Sequence, residues 1–463
     1  MLAFDEIKEY IATVCEQIRW EKAKPKIATE IENPICDQRD AYISEGDNES
    51  EATSKALLQM GDAVLVGQEL DKTHKPKPQW TMITLVGIFM TIGGLINYFI
   101  MNSVDELNMF KIFTYILAFG IFIICYFIDF SILGKYSLHF YFFILTSTLI
   151  PAIFSKTYKT IFMSEFDNYI HSTHIGFFHI NTAYFSLIYP LAFALLVYSM
   201  RNKGYRGIIL SSVGFIPLAI ILFKASASVG FVLYALSSLV ILCIAIAKGW
   251  FGVKKMYGLL LVLIPAFIAL AFSFLILILY PYHMQKLIVF LTPYEYKKEA
   301  GFVYCVIRDF LKEAVFIGKG GIPYENGFRF NFAHAFTDYA LVYLIYNFRF
   351  IALVGIVSII ALFSAIGIYK SLKEKSVLGS LIAISIMFTF IFQATFYILY
   401  NLGLGFIAPL PLPFITYGKM SLFINSALIG FMLSVFRTGD VYNDNTDIVK
   451  KKKSSPFYMR MES

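Results

Sequence analysis

Residues 345–400 read IYNFRFIALVGIVSIIALFSAIGIYKSLKEKSVLGSLIAISIMFTFIFQATFYILY. Two apolar runs, 345–369 and 377–400, flank a short turn that carries Lys370, Lys373 and Lys375. Each run is close to the roughly 20 residues that an α-helix needs to cross about 30 Å of hydrocarbon. The stretch therefore reads as a membrane hairpin, and a basic connecting loop belongs on the cytoplasmic side. Working outward, runs of the same kind fall at 80–101, 110–128, 136–154, 178–199, 206–223, 228–247, 257–280 and 418–436. With the hairpin they make ten expected spans, an all-α polytopic membrane fold.

Composition points the same way. Of the 463 residues, 58% are hydrophobic, 17% aromatic and only 15% charged, whereas soluble domains carry about 25% charged residues. An array of water-soluble domains is excluded. The net charge of +7 lies largely on short loops. These carry Lys135; Arg201, Lys203 and Arg206; Lys248, Lys254 and Lys255; the lysines of the hairpin; and Arg437 with the tail Lys450, Lys451, Lys452 and Lys453. All these loops fall on one side of the expected topology, so membrane orientation explains the charge better than nucleic-acid binding does. An even number of spans places both termini in the cytoplasm. The five cysteines (Cys15, Cys36, Cys125, Cys243, Cys305) show no metal-like spacing, and only Cys305 falls outside, so no disulfide framework is indicated. The N-terminus is acidic and helical, unlike a cleavable signal peptide.

Residues 1–79 read as a small cytoplasmic helical domain. An amphipathic stretch runs from Phe4 to Trp20, and a second from Ile27 to Ile43 stops at Gly46. Asn48 with Glu51 three positions later forms a capping box for a third helix ending at Met60. Gly61-Asp62 turns into a short fourth helix, and Lys75-Pro76-Lys77-Pro78 is a stiff linker. No catalytic constellation appears here, and a docking or folding module is the expected role. The membrane domain is expected over 80–437, followed by a basic cytoplasmic tail, 438–463.

Three outer segments result from this topology. Segment 155–177 is polar and includes Glu165, Asp167, His171 and His174. Segment 281–344 is the longest, and a long loop between membrane helices is usually functional. It holds Arg308, Asp309, Lys312, Glu313, a Gly318-Lys319-Gly320-Gly321 turn, Arg329, His334 and Asp338. The glycine turn lacks the spacing and the strand–helix context of a nucleotide cradle. Asp338 stands before an apolar run, where two compatible readings apply. It can cap the following helix by accepting its backbone N–H groups. Alternatively, partial desolvation makes it a better proton acceptor. The third segment, 401–417, contains Pro409, Pro411 and Pro413 in alternation, which no helix can continue. An extended re-entrant stretch is expected, tolerated at membrane depth only when buried in protein or lining a cavity.

The segment PLPFITYG (411–418) resembles the proline signature of the SEDS family, the FtsW/RodA/SpoVE proteins of shape, elongation, division and sporulation. FIGKGGIPYENGFRFNFAHAFTDY (316–339) is similar to that family's outer loop of glycine-rich turn, spacer and Thr-Asp pair, here Thr337-Asp338. Asn401 and Gly403 match its Asn-x-Gly. The likeness covers roughly residues 80–437. Other family motifs are changed: Asn181-Thr182-Ala183-Tyr184, Ala225-Ser226-Ala227-Ser228-Val229-Gly230, Tyr346-Asn347 and Tyr417-Gly418-Lys419-Met420-Ser421 stand in their places. The head, through QIRW (17–20), DQRDAYISEG (37–46) and MGDAVLVGQELDKTHKPKPQW (60–80), resembles a prefix domain found on some Gram-positive membrane proteins.

The resemblance implies a peptidoglycan-type glycosyltransferase that polymerises an undecaprenyl-diphosphate-linked, lipid II-like precursor at the outer face of a Gram-positive plasma membrane. Asp338 then corresponds to the family's essential acidic residue and is the catalytic candidate. Arg308, Lys312, Lys319 and Arg329 are diphosphate-binding candidates, and Pro413, Tyr417 and Lys419 are further substrate-binding candidates. One base and a cationic clamp suffice for such a transfer. A divalent cation is the only candidate cofactor, and a class B penicillin-binding protein the candidate protein partner. Two rival readings remain: a flippase for a lipid-linked precursor, for which Arg349 is nearly the only intramembrane charge, and a non-catalytic scaffold of division or shape proteins.

Overall fold

The computed structural model describes residues 2–76, 78–103, 109–154, 156–159, 169–175, 178–225, 227–279, 281–298, 300–313, 338–405 and 407–439. Two compact units divide the chain, one containing Met1–Pro78 and the other spanning Gln79–Phe436.

In the first unit, α1 (Leu2–Glu16), α2 (Lys24–Glu45), α3 (Glu49–Met60) and α4 (Ala63–His74) pack around Ile7, Val14, Ile18, Ile27, Ile31 and Ile35. Local chemistry sets the boundaries. Gly46 ends α2 at φ 108°, in the left-handed region that glycine enters without steric cost. The Asn48 side chain accepts the Glu51 N–H at the start of α3, and Asp62 accepts the N–H groups of Val64 and Leu65 at the start of α4. Such caps contribute about 1 kcal/mol each.

The second unit begins with α5 (Trp80–Ser103), α6 (Met109–Phe127), the short α7 (Ser131–Lys135) and α8 (Ser137–Phe154). Strands β1 (Lys156–Lys159), β2 (Tyr169–Ile175) and β3 (Phe178–Asn181) form an antiparallel sheet in the order β1-β2-β3, with Thr157 opposite His171 and His174 opposite His179. A 3-10 turn, Thr182–Leu187, leads into α9 (Tyr189–Met200). Then come α10 (Gly204–Lys224), α11 (Ser228–Ala247), α12 (Lys255–Leu279), α13 (Pro281–Leu291), α14 (Phe302–Glu313), α15 (Ala340–Lys373), α16 (Val377–Asn401) and α17 (Lys419–Thr438). Each of the ten expected spans falls on one of these helices. Seven helices among the described residues are long and apolar enough to cross a membrane, and shorter apolar helices occupy Phe113–Phe127, Ser137–Ile150 and Tyr189–Met200. This is a multi-pass membrane fold.

Two span boundaries differ from expectation. The run 178–199 becomes helical only at Tyr189, because 178–181 pairs as β3 and Pro190, in the first turn of α9, suits a helix start but not its interior. The run 345–369 belongs to a longer α15 that is broken at Arg349 (φ 70°, ψ 179°). That conformation is essentially reserved for glycine and costs about 1–3 kcal/mol in another residue. Arg349 therefore separates a short piece that follows Asp338 from the long remainder of α15.

α16 is the axis of the unit: 78% of its apolar window is buried, against 11% for α12. α9, α11 and α15 pack around it. Lys248 ties the ends of α11, α15 and α16 together, its ammonium donating to Ser380 Oγ at 2.9 Å and to the Leu372 carbonyl at 3.1 Å. Most of α12 stands exposed, with Phe267, Ile268, Leu270, Phe272 and Phe274 all more than half accessible, as suits a helix that faces lipid.

Candidate functional site

Asp338 and the C-terminal end of α16 form the centre of the candidate site. Asp338 is half-buried, two residues before α15 begins. The N-cap position is taken by Tyr339, whose side chain makes no cap bond. The helix's first donors are served instead by α16. The Ala340 N–H donates to the Tyr397 hydroxyl at 3.1 Å, and the Val342 N–H donates to Asn401 Oδ1 at 3.2 Å. Asn401 Nδ2 in turn donates to the Asp338 carbonyl at 2.9 Å and to the Tyr397 carbonyl at 3.0 Å. Both Tyr397 and Asn401 are fully buried. This corrects the expectation that Asp338 caps α15 at the N-cap position, because that work is done by side chains of a neighbouring helix.

Three phenols, those of Tyr184, Tyr397 and Tyr400, lie within reach of the Asp338 charge. The hydroxyls of Tyr339 and Tyr400 lie 3.3 Å apart. Tyr184 comes from the 3-10 turn, which is pressed against α11: a Cβ on Gly230 would meet Ser186 Oγ at 2.7 Å. Gly230 and Ala183, from two of the divergent stretches, thus lie together.

The amphipathic helix α14 packs Val306, Ile307 and Phe310 against Val342 and Tyr400. Its polar face carries Arg308, Asp309 and Lys312. Arg308 donates to the Phe290 carbonyl at 2.8 Å and lies over the Phe290 ring. It also lines the turn after α16, since a Cβ on Gly403 (φ +72°) would touch its Cγ at 3.7 Å. The Tyr294 hydroxyl donates to Asp309 at 2.7 Å and accepts from Lys312 at 3.2 Å. Burial and the neighbouring Asp309 push the Tyr294 phenol above its ordinary pKa, and the Tyr294 bond holds the exposed Lys312 ammonium above its own. Two of the expected cations therefore sit beside the site with protein partners already engaged. Lys319 and Arg329 lie outside the described residues, as do Thr337 and His334.

The proline signature forms a separate knot. Leu412, Phe414, Ile415 and Thr416 are buried, and Phe414 has φ 62°. Gln393 Nε2 donates to the Pro411 carbonyl at 2.6 Å, and Asn97 Nδ2 donates to the Ile415 carbonyl at 3.1 Å. Phe89, Phe363 and Phe390 pack around the Phe414 ring or one another at 5.0–6.4 Å. The segment is non-helical, as expected from its prolines, and is buried in protein. Pro413 is buried within it, so it shapes the segment rather than offering a contact surface for a ligand. Tyr417 is half-buried and Lys419 is exposed at the first position of α17.

Sequence reasoning selected Asp338, Asn401 and Arg308, but missed Tyr184, Tyr397 and Tyr400. One signal was available: Tyr397 and Asn401 are four apart, hence on one helix face, at the polar end of an apolar span. Among the described residues no cluster of three or more His, Cys, Asp or Glu side chains could hold a metal ion.

No family model matches the sequence, and no curated protein matches it. Solved structures do. RodA, the rod-shape-determining protein of Thermus thermophilus, aligns over 79% of this chain and 98% of its own, with TM-score 0.51 and 16% identity. The membrane unit has the fold of RodA. An aspartate-to-alanine variant of the same protein gives TM-score 0.50 at 15% identity, covering 79% of this chain and 99% of that one. A chain from a peptidoglycan synthase complex, described as coordinating polymerization and crosslinking, gives TM-score 0.60 at 17% identity over 79% of this chain and 99% of its own. The SEDS resemblance drawn from the proline signature and the Thr-Asp pair is thus borne out in the fold.

Proposed function

We propose that the protein is a membrane glycosyltransferase that polymerises an undecaprenyl-diphosphate-linked, lipid II-like glycan precursor at the outer membrane face. Asp338 is its proton acceptor. The observation that carries this reading is the placement of Asp338: a half-buried residue at the mouth of a helix whose first donors are served by Asn401 and Tyr397. A fold shared with RodA and with a chain of a peptidoglycan synthase complex supports it.

In the proposed step the acceptor's 4-hydroxyl attacks the donor's anomeric carbon. A new C–O bond forms, the bond to undecaprenyl diphosphate breaks, and the hydroxyl proton passes to Asp338. Charge on the departing diphosphate calls for cations, for which Arg308, Lys312, Lys319 and Arg329 are the candidates. Lys419, Tyr417 and the proline segment contribute to substrate binding only through the shape of the outer face. The setting is the plasma membrane of a Gram-positive bacterium, with both termini cytoplasmic and a class B penicillin-binding protein as transpeptidase partner, in division, elongation or sporulation. The test is polymerisation of lipid II by the purified protein beside its Asp338→Asn variant. Glycan chains from the wild type and a loss of about 10²-fold or more in the folded variant are expected. Full activity of the variant removes Asp338 from the mechanism, and an inactive wild type leaves the scaffold reading ahead.

A further inference from the structure

We propose that Tyr397 and Asn401 are positioning residues that clamp the Asp338 corner from α16, so that the helix bearing Asp338 is capped from outside. This rests on the reading of Asp338 as proton acceptor.

An α-helix leaves its first N–H groups without intrahelical partners. An aspartate just before such a helix is the usual candidate to take them, which would commit its carboxylate to the backbone. Here the Ala340 and Val342 donors go to Tyr397 and Asn401, fifty-seven and fifty-nine positions further along the chain. Asn401 acts at both ends of the clamp, because its Nδ2 also holds the Asp338 carbonyl. Oxygen and nitrogen of one amide thus fix the backbone on either side of Tyr339. Both residues are fully buried on α16, whose apolar stretch is 78% buried, and a clamp on such an element is rigid. An orphaned donor in that setting costs about 1–3 kcal/mol. When the Tyr397 hydroxyl is removed, the Ala340 N–H loses its acceptor on α16, and the turn that carries Asp338 is no longer held in place.

The experiment compares turnover of lipid II by the purified protein with Tyr397→Phe and with Asn401→Ala and Asn401→Asp, each in the wild-type and the Asp338→Asn background. Hydrogen exchange of the peptide spanning 338–345 is measured in the same samples. Tyr397→Phe should lower kcat by about 10-fold or more with little change in KM, because misplacing a catalytic group by an ångström costs up to about 10²-fold. The loss should vanish in the Asp338→Asn background, the non-additivity expected of residues acting as one unit. Asn401→Asp, which keeps the acceptor for Val342, should retain more activity than Asn401→Ala. Exchange at 338–345 should quicken in Tyr397→Phe. An equal loss in both backgrounds, or exchange unchanged by Tyr397→Phe, overturns the proposal. A wild type that exchanges as expected but makes no glycan overturns the polymerase reading and leaves the clamp standing.

Discussion

The space that a side chain on Gly93 would fill is taken by the carbonyl of Phe414, in the middle of α5. That contact lets the proline knot pass close to α5 and brings the Ile415 carbonyl to Asn97. Backbone cannot give way as a flexible side chain can, so Gly93→Ala should destabilise the membrane unit by about 1–3 kcal/mol, the usual cost of overpacking a well-filled core. Gly94, one position on, has open space at the same point, and Gly94→Ala should be near neutral. Thermal unfolding of the two purified variants in detergent decides it, and equal melting points would rule out the close approach. At this scale the sequence was partly legible. Asp338 announced itself as a carboxylate before an apolar run. Its capping partners did not, because they lie on a helix far along the chain that only the packing of α15 on α16 brings near. The burial of Pro413 was not legible for the same reason: a proline signature marks a break in helix, and burial is a property of the neighbours that close over it.

α16 shows what an element can do that its residues cannot do singly. Its C-terminal end carries Tyr397 and Asn401, and eight residues before Asn401 Gln393 holds the Pro411 carbonyl and Ser421 Oγ. One helix thus anchors both the Asp338 corner and the proline knot. Gln393→Leu keeps size and apolar packing but strands a buried carbonyl, so it should cost about 1–3 kcal/mol. The loss should appear as a lower melting temperature, and a melting temperature unchanged by the substitution would show that Gln393 does not hold the knot. The existence of every span was legible because long apolar runs have few alternatives to a membrane helix. The ends were less so. Hydropathy does not distinguish a helix from the strand and 3-10 turn that precede α9, and Pro190 became decisive only once the chain direction there was known. The break at Arg349 left no mark in composition, since its cause is a backbone angle and not an amino-acid preference. The sheet of β1, β2 and β3 arises by pairing across a segment that, read alone, was merely polar.

At the scale of the whole molecule, the first unit has a core of its own in Ile7, Val14, Ile18, Ile27, Ile31 and Ile35, and helices capped by their own Asn48 and Asp62. Nothing in that list draws on the membrane unit, which buries its own residues around α16. The charge pattern adds an orientation: Lys203 lies on a basic loop expected inside, and Glu295, on the turn between α13 and α14, is expected outside. In a background lacking the native cysteines, Glu295→Cys should react with an impermeant maleimide applied to intact cells and Lys203→Cys should not; the reverse pattern would invert the topology. Removing residues 1–74 takes away a module with a core of its own. If the two units are independent, the truncated protein should make glycan within about twofold of the full chain, the scatter expected between sites that share no partners. Its position in the cell or its protein contacts should change instead. A truncated protein that still melts cooperatively but has lost polymerisation would show that the helical head acts on the catalytic unit, and would exclude a purely docking role for it.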